Sequence, residues 1–156
     1  MKKKIEILAP AKNLVQGIAA INSGADAVYI GAPLYGARSN ATNSVEDIAE
    51  LVKYAHLFNA QVFVVINTIL YDNELEPCRQ LIWKLYDIGV DALIIQDMAI
   101  MEMELPPIVL HASTQTNNRD ADKIKFLADA GIKRVVLARE LNLSQIKEIS
   151  EASDVE

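Results

Sequence analysis

Apolar runs alternate along this chain with segments of helical periodicity, and each run stops abruptly at polar residues. Ile108-Val109-Leu110 runs into His111-Ala-Ser-Thr-Gln115, and Arg134-Val-Val-Leu137 runs into Ala138-Arg139-Glu140. Short apolar runs of this kind are how strands of a parallel sheet read when both faces are covered. Three segments share one grammar of glycine, turn, strand and polar stop: Gly24-Ala-Asp-Ala-Val-Tyr-Ile-Gly31, Gly89-Val-Asp-Ala-Leu-Ile-Ile-Gln-Asp97 and Gly131-Ile-Lys-Arg-Val-Val-Leu-Ala-Arg-Glu140. Glycine suits such a helix-to-strand joint because it takes positive φ without steric cost.

Further strands are predicted over Ile5 to Ala9, Gln61 to Asn67 and Ile108 to Leu110. Helical stretches separate them at Asn13 to Ser23, Ser44 to Phe58, Asn73 to Ile88, Met98 to Met103, Arg119 to Ala130 and Ser144 to Ala152. Ile48, Leu51, Val52 and Ala55 show the helical spacing in the second. Ser44 with Asp47, and Ser144 three residues before Lys147, stand where N-caps belong.

Strict alternation of strand and helix gives either an open doubly wound sheet or a closed eight-unit barrel. No Gly-x-Gly-x-x-Gly joins a strand to a helix, which removes the main support for a dinucleotide-binding sheet. Polar residues at every strand end suit a barrel whose pocket draws on many strands. The expected fold class is therefore α/β, a partial (β/α)8 TIM-type barrel. The 156 residues supply its first six βα units, the N-terminal part of a barrel domain in a longer protein, since a complete barrel takes about 250 residues. Open barrel edges would favour self-association.

Composition narrows the setting. With 51% hydrophobic and 23% charged residues the chain can bury a sizeable core. No apolar stretch reaches the roughly 20 residues of a membrane span, and Met1-Lys2-Lys3-Lys4 leads into no export signal, so a cytoplasmic protein without membrane contact is expected. A net charge of -6 disfavours broad electrostatic capture of nucleic acid, and the cluster Lys123, Lys125, Lys133 and Arg134 reads as a solvated face. Cys78, the single cysteine, reads as a buried filler within a helix. His56 and His111 are too far apart in sequence to identify a metal site, and no metal ligand is expected here.

The strand ends hold the candidate chemistry. His111, Arg139 and Glu140 are the candidate catalytic residues, because each is predicted to follow an apolar strand at the reaction face. Arg139 and Glu140 could equally neutralise each other as an ion pair. Asn67, Asp97 and Gln115 are candidate substrate contacts; the amides could hold a planar polar group or tie down a loop. The thirteen-residue segment from Gly31 to Asn43 exceeds the usual length of a βα connection, about 2 to 6 residues. Tyr35 and Arg38 are its candidate contacts, through ring stacking and charge. No nucleophile with its base declares itself. On these grounds alone the chain is a barrel enzyme of unspecified reaction.

Leu8-Ala-Pro-Ala11, Gly24 to Gly31, Gly36-Ala-Arg38, His111-Ala-Ser-Thr-Gln115 and Val136-Leu-Ala-Arg-Glu-Leu141 resemble, in order, the motifs of the collagenase-like peptidases, family thirty-two of the peptidases of unknown catalytic type. Within it, the segments Gly36 to Ser44, Asn67 to Pro77 and Glu104 to Ile108 are most similar to the bacterial members that form 5-hydroxycytidine in 23S ribosomal RNA. The resemblance implies an RNA-modifying hydroxylase with ribosomal RNA as the substrate of the full-length protein. His111 and Gln115 would contact the base edge, and Arg38 or Arg139 a phosphate. It also implies an iron-sulfur cluster held by cysteines downstream of this chain, so that these residues alone would be inactive. Proteolysis, as the family name asserts, and a non-catalytic scaffold are the other readings.

Overall fold

A computed structural model describes residues 5–36 and 43–156. Among the described residues six parallel strands stand side by side in chain order: β1 (Leu8–Ala11), β2 (Ala27–Gly31), β3 (Gln61–Ile66), β4 (Ala92–Ile95), β5 (Val109–Ala112) and β6 (Arg134–Val135). Helices α1 (Leu14–Asn22), α2 (Val45–Leu57), α3 (Asp72–Asp87), α4 (Ala121–Asp129) and α5 (Leu143–Ala152) follow β1, β2, β3, β5 and β6. A 3-10 turn over Met98–Glu102 takes the helix's place after β4. The sheet curls far enough for Arg134 on β6 to reach Glu6, just before β1. It is a partial barrel, with helices outside.

Period-two alternation divides each strand between two cores. Val28, Ile30, Val62, Val64, Ile66, Leu93 and Ile95 face outward and join Ile48, Leu51, Val52, Cys78, Ile82 and Leu85 of the helices. Ala27, Phe63, Ala92 and Ile94 face inward, with Leu8, Tyr29 and Val65 beside them. Ala92, the register partner of Phe63 on β4, leaves the ring room on that side.

Each repeated joint behaves as its sequence predicts. Gly24, Gly89 and Gly131 take φ of 95°, 87° and 108°, where a Cβ would be strained. Gly17 serves a different end: a Cβ there would lie 2.7 Å from Leu51 Cδ1, so its absence lets α1 approach α2. Ser44 and Asp47 form the reciprocal capping box, Asp47 N to Ser44 Oγ at 3.1 Å and Ser44 N to Asp47 Oδ2 at 2.9 Å.

Four boundaries differ from expectation, each for a local reason. β1 begins three residues later than Ile5; Ile5 and Ile7 are exposed, and Ile7 N donates to the Asp26 carboxylate rather than to a ladder. β5 does not stop at Leu110 but carries on through His111 and Ala112. β6 is only Arg134–Val135, although Val136 N still donates to Ala112 O at 2.9 Å. α5 is capped by Asn142 and not Ser144: Asn142 and Gln145 exchange bonds of 3.0 Å in both directions, which Lys147 could not reciprocate for Ser144.

Leu51 is fully buried where α1, α2 and the sheet meet. Leu51→Ala should lower the unfolding free energy by about 2 to 5 kcal/mol, measured by urea denaturation followed by circular dichroism.

Candidate functional site

Because all six strands are parallel, their carboxyl ends share one rim, and the segments after them line it. Two buried asparagines fix that rim. Asn43 donates through Nδ2 to Lys12 O at 3.1 Å and Gly31 O at 3.2 Å, joining the ends of β1 and β2. Asn118, fully buried, donates to Ser113 O at 2.8 Å and Val136 O at 2.9 Å, and accepts from Thr116 Oγ1 at 2.6 Å. Ala138 N completes the knot by donating to Asn118 O. Lys123 Nζ donates to Thr116 O from α4. These asparagines satisfy carbonyls that the strands leave behind.

Gln115, Arg139 and Glu140 lie at this rim with exposed side chains. The backbone beneath Gln115 is held: Ser113 Oγ accepts from Gln115 N, and Ser113 N donates to Ile95 O at 2.8 Å. Asn67 follows β3, and its N–H donates to Tyr35 O at 3.0 Å, tying the loop after β2 to the loop after β3.

Several candidate contacts occupy other places than their sequence suggests. Tyr35 is not an exposed stacking ring; it is buried in the outer core, where burial raises its phenol. Its neighbour Leu34 points outward instead, at a positive φ of 72°. Arg38 lies outside the described residues. Asp97 spends both carboxylate oxygens on backbone, accepting from Leu70 N through Oδ2 and Ala99 N through Oδ1, each at 2.9 Å. It is the N-cap of the 3-10 turn and ties the β3 loop to the β4 loop.

His111 sits inside the barrel, below the rim. It is the third residue of β5, 6% exposed, and its ring meets Phe63 of β3 edge-on with centroids 4.8 Å apart. Contact between alternate strands is the layer geometry of a barrel interior. Its register partner on β6 is Arg134, whose guanidinium lies 5.3 Å from the Phe63 centroid. Burial, and then the Arg134 charge, push the imidazole down to about 4, partly offset by Glu156; His111 is therefore neutral near pH 7. Among the described residues its buried Nδ1 has no hydrogen-bond partner.

Arg134 and Phe63 carried no functional reading in the sequence. Arg134 is not part of a solvated basic face: Nη1 donates to Glu6 Oε1 at 2.7 Å, and Nη2 to Glu6 Oε2 at 3.1 Å. Glu156 Oε1 lies 2.8 Å from Nη2. Burial opposes the charge, and the two carboxylates more than restore it. The signal that could have found Arg134 is the two-residue period: Arg134 and Val136 share the face on which Val109, His111 and Ser113 also fall.

His56 stays at the opposite end of the barrel, 3.1 Å from Asp91 Oδ2, which also accepts from Val62 N. Cys78 is fully buried in α3, and burial pushes its thiol up to about 11, the behaviour of a core filler. One buried thiol does not fit an iron-sulfur cluster, which takes four thiolates as a rule. Among the described residues no group of three potential metal ligands comes together, and no helix is long and apolar enough to cross a membrane.

A family model, described as Peptidase family U32, matches residues 12–156. The chain belongs to peptidase family U32. Among relatives of this U32 chain, the 23S rRNA 5-hydroxycytidine C2501 synthase of Escherichia coli is 57% identical over 151 residues, which are 97% of this chain and 23% of that protein. The tRNA hydroxylation protein P1 of Bacillus subtilis is 37% identical, over 99% of this chain and 37% of its own length. The collagenase of Porphyromonas gingivalis is 32% identical, over 94% of this chain and 36% of its own. The chain thus spans about a quarter to somewhat over a third of these relatives. The solved structure of a U32 peptidase superposes with a TM-score of 0.78 at 13% identity, covering 100% of this chain and 68% of that one. A dihydrodipicolinate synthase follows at 0.62 and 19%, covering 97% and 62%. At such identities both speak for the barrel fold alone.

Two outcomes are expected of the U32 site. Asn118→Ala leaves Ser113 O and Val136 O without their donor and should cost about 2 kcal/mol or more, read from the urea midpoint. His111 gives a pH effect of definite sign. Its folded value near 4 lies below the ordinary 6.5, so the unfolded chain binds the extra proton between the two. Stability is intact above pH 6.5 and falls as pH drops toward 4, by up to about 3 kcal/mol from this group. His111→Asn should flatten that part of the stability profile, measured by denaturant titrations from pH 7 to pH 4.

Proposed function

We propose that this chain is the front portion of the barrel of an RNA pyrimidine hydroxylase that forms 5-hydroxycytidine in 23S ribosomal RNA. The observation that carries the reading is the 57% identity, across 97% of the chain, with the Escherichia coli 5-hydroxycytidine synthase. The tRNA hydroxylation proteins support the coarser statement, an enzyme that hydroxylates RNA.

The residues divide the work by position. Gln115, exposed at the rim on a fixed backbone, carries the donor and acceptor that an unpaired base edge requires. Arg139 is the fork for a phosphate beside it, with Glu140 as the neighbouring acceptor. Asn67 and the neutral His111 complete the wall and floor beneath the base, which has to leave its stack to enter. The net charge of -6 leaves this portion a reader of one nucleotide, and long-range attraction to RNA falls to other parts of the protein. An iron-sulfur cluster, if the enzyme holds one, draws its thiolates from elsewhere than these residues, and these residues alone are inactive. The outer edge of β1, and that of β6 beyond its bridge to Glu156, are covered by further barrel units or by self-association.

The test is complementation. The complete gene product that carries this chain, expressed in an Escherichia coli strain lacking the 57%-identical relative, should restore 5-hydroxycytidine to 23S ribosomal RNA, detected by mass spectrometry of nuclease digests. Gln115→Ala and Arg139→Ala should lower the level at least tenfold with unchanged circular dichroism. Failure of the wild-type protein to restore the nucleoside removes the proposal, and cleavage of peptides by the purified protein would place the collagenase relative's activity first.

A further inference from the structure

The barrel interior holds one charged assembly that the reading above does not use. The Arg134 fork receives Glu6 on both Nη atoms and Glu156 on one, its plane lies over Phe63, and its register partner is His111. Three segments therefore converge on the Arg134 guanidinium of β6: the residues before β1, Phe63 of β3, and Glu156, which runs beside β6. The backbone bonds Val135 N to Glu156 O at 2.7 Å and Glu156 N to Lys133 O at 3.3 Å set Glu156 directly opposite Arg134.

We propose that Arg134 is a positioning residue for the candidate site: gripped by Glu6 and Glu156, its guanidinium fixes the His111 ring against Phe63 beneath the rim. The function it serves rests on the RNA hydroxylase reading; the coupling itself does not.

The geometry explains why a cation is placed there. Phe63 is 2% exposed and touches both His111 and the guanidinium, so a shift of either polar group would move the other through one shared ring. Among the described residues, the charged groups that bear on the imidazole are Arg134 on β6 and Glu156 beside it, with Glu6 acting through Arg134; on β4 its register partner is the apolar Ile94. Arg134 disfavours protonation of His111, and Glu156 favours it. A neutral imidazole keeps one donor and one acceptor, as the edge of an uncharged heterocycle demands, whereas an imidazolium would only donate. Among the described residues the buried Nδ1 has no hydrogen-bond partner.

The complete protein, labelled with 15N only in histidine, tests this by NMR titration of His111. Arg134→Met should raise the His111 midpoint by about one pH unit or more, and Glu156→Gln should lower it, so the two variants move it in opposite directions. The acid limb of the RNA hydroxylation profile should follow the Arg134→Met shift. Arg134→Lys keeps the charge without the fork; it should hold the midpoint near wild type while kcat falls and the KM for RNA stays within about twofold. A midpoint unmoved in folded Arg134→Met overturns the proposal, as does wild-type turnover in both arginine variants. Should Arg134→Met fail to fold, an upward or absent shift in Glu156→Gln overturns it instead. Absence of RNA hydroxylation by the wild-type protein would count against the proposed function, and the opposite NMR shifts would still decide the coupling.

Discussion

A guanidinium inside a barrel has to be matched by carboxylates, and the position of Arg134 makes this the constraint on which the rest of the interior depends. It is side-chain buried to about 85%, being 15% exposed. At that depth an unpaired charge would cost several kcal/mol. Glu6 and Glu156 answer it from two other elements, and Phe63 offers the face of its ring. These four side chains then lock the curl of the sheet, because Glu6 and Arg134 belong to opposite ends of the strand order. The curl in turn brings the carboxyl ends of all the strands toward one rim.

Above that charged floor the rim is held by side chains that hydrogen-bond to backbone. Asn43 and Asn118 each bridge two carbonyls from neighbouring strand ends, and Asp97 collects two backbone N–H groups from two loops. The exposed side chains of Gln115, Arg139 and Glu140 stand on this lattice. A rim built in this way has a hydrogen-bonded backbone beneath exposed side-chain heads, the arrangement that lets one barrel accept different substrates through changes in loops alone.

Much of the fold was legible because its signals are local. The glycines at 24, 89 and 131 mark helix ends, and the runs of Val, Ile and Leu in β2, β3 and β4 name buried strands. The rim position of Gln115, Arg139 and Glu140 followed from the same punctuation. The interior was not legible, for one reason: inside a barrel a polar residue does not end a strand. His111 continues β5 and Arg134 opens β6, each meeting partners far away in sequence, and hydrophobic patterning carries no record of that pairing. Tyr35 was misplaced because a loop of this length can fold its aromatic residue back into the outer core while turning Leu34 to solvent. Asp97 was read as a substrate contact because a carboxylate at a strand end looks the same whether it faces a ligand or caps the next turn.

The Glu6–Arg134 pair also bears on the order of assembly. Every strand pairs with its neighbour in the chain, so the sheet can grow by adding one strand and helix at a time, each closing only a modest loop. The ion pair links residues 128 apart. Closing a free chain over that distance would cost about 4 kcal/mol in length-dependent entropy, more than a partly exposed carboxylate could return. The pair therefore forms after the strands between have done most of the bending, and a sheet that had paired in the wrong register or stayed flat would leave Arg134 beside Phe63 with no Glu6 to meet it. A charge hidden in the barrel thus acts as a late checkpoint on curvature, rewarding only those chains in which every earlier joint was made correctly.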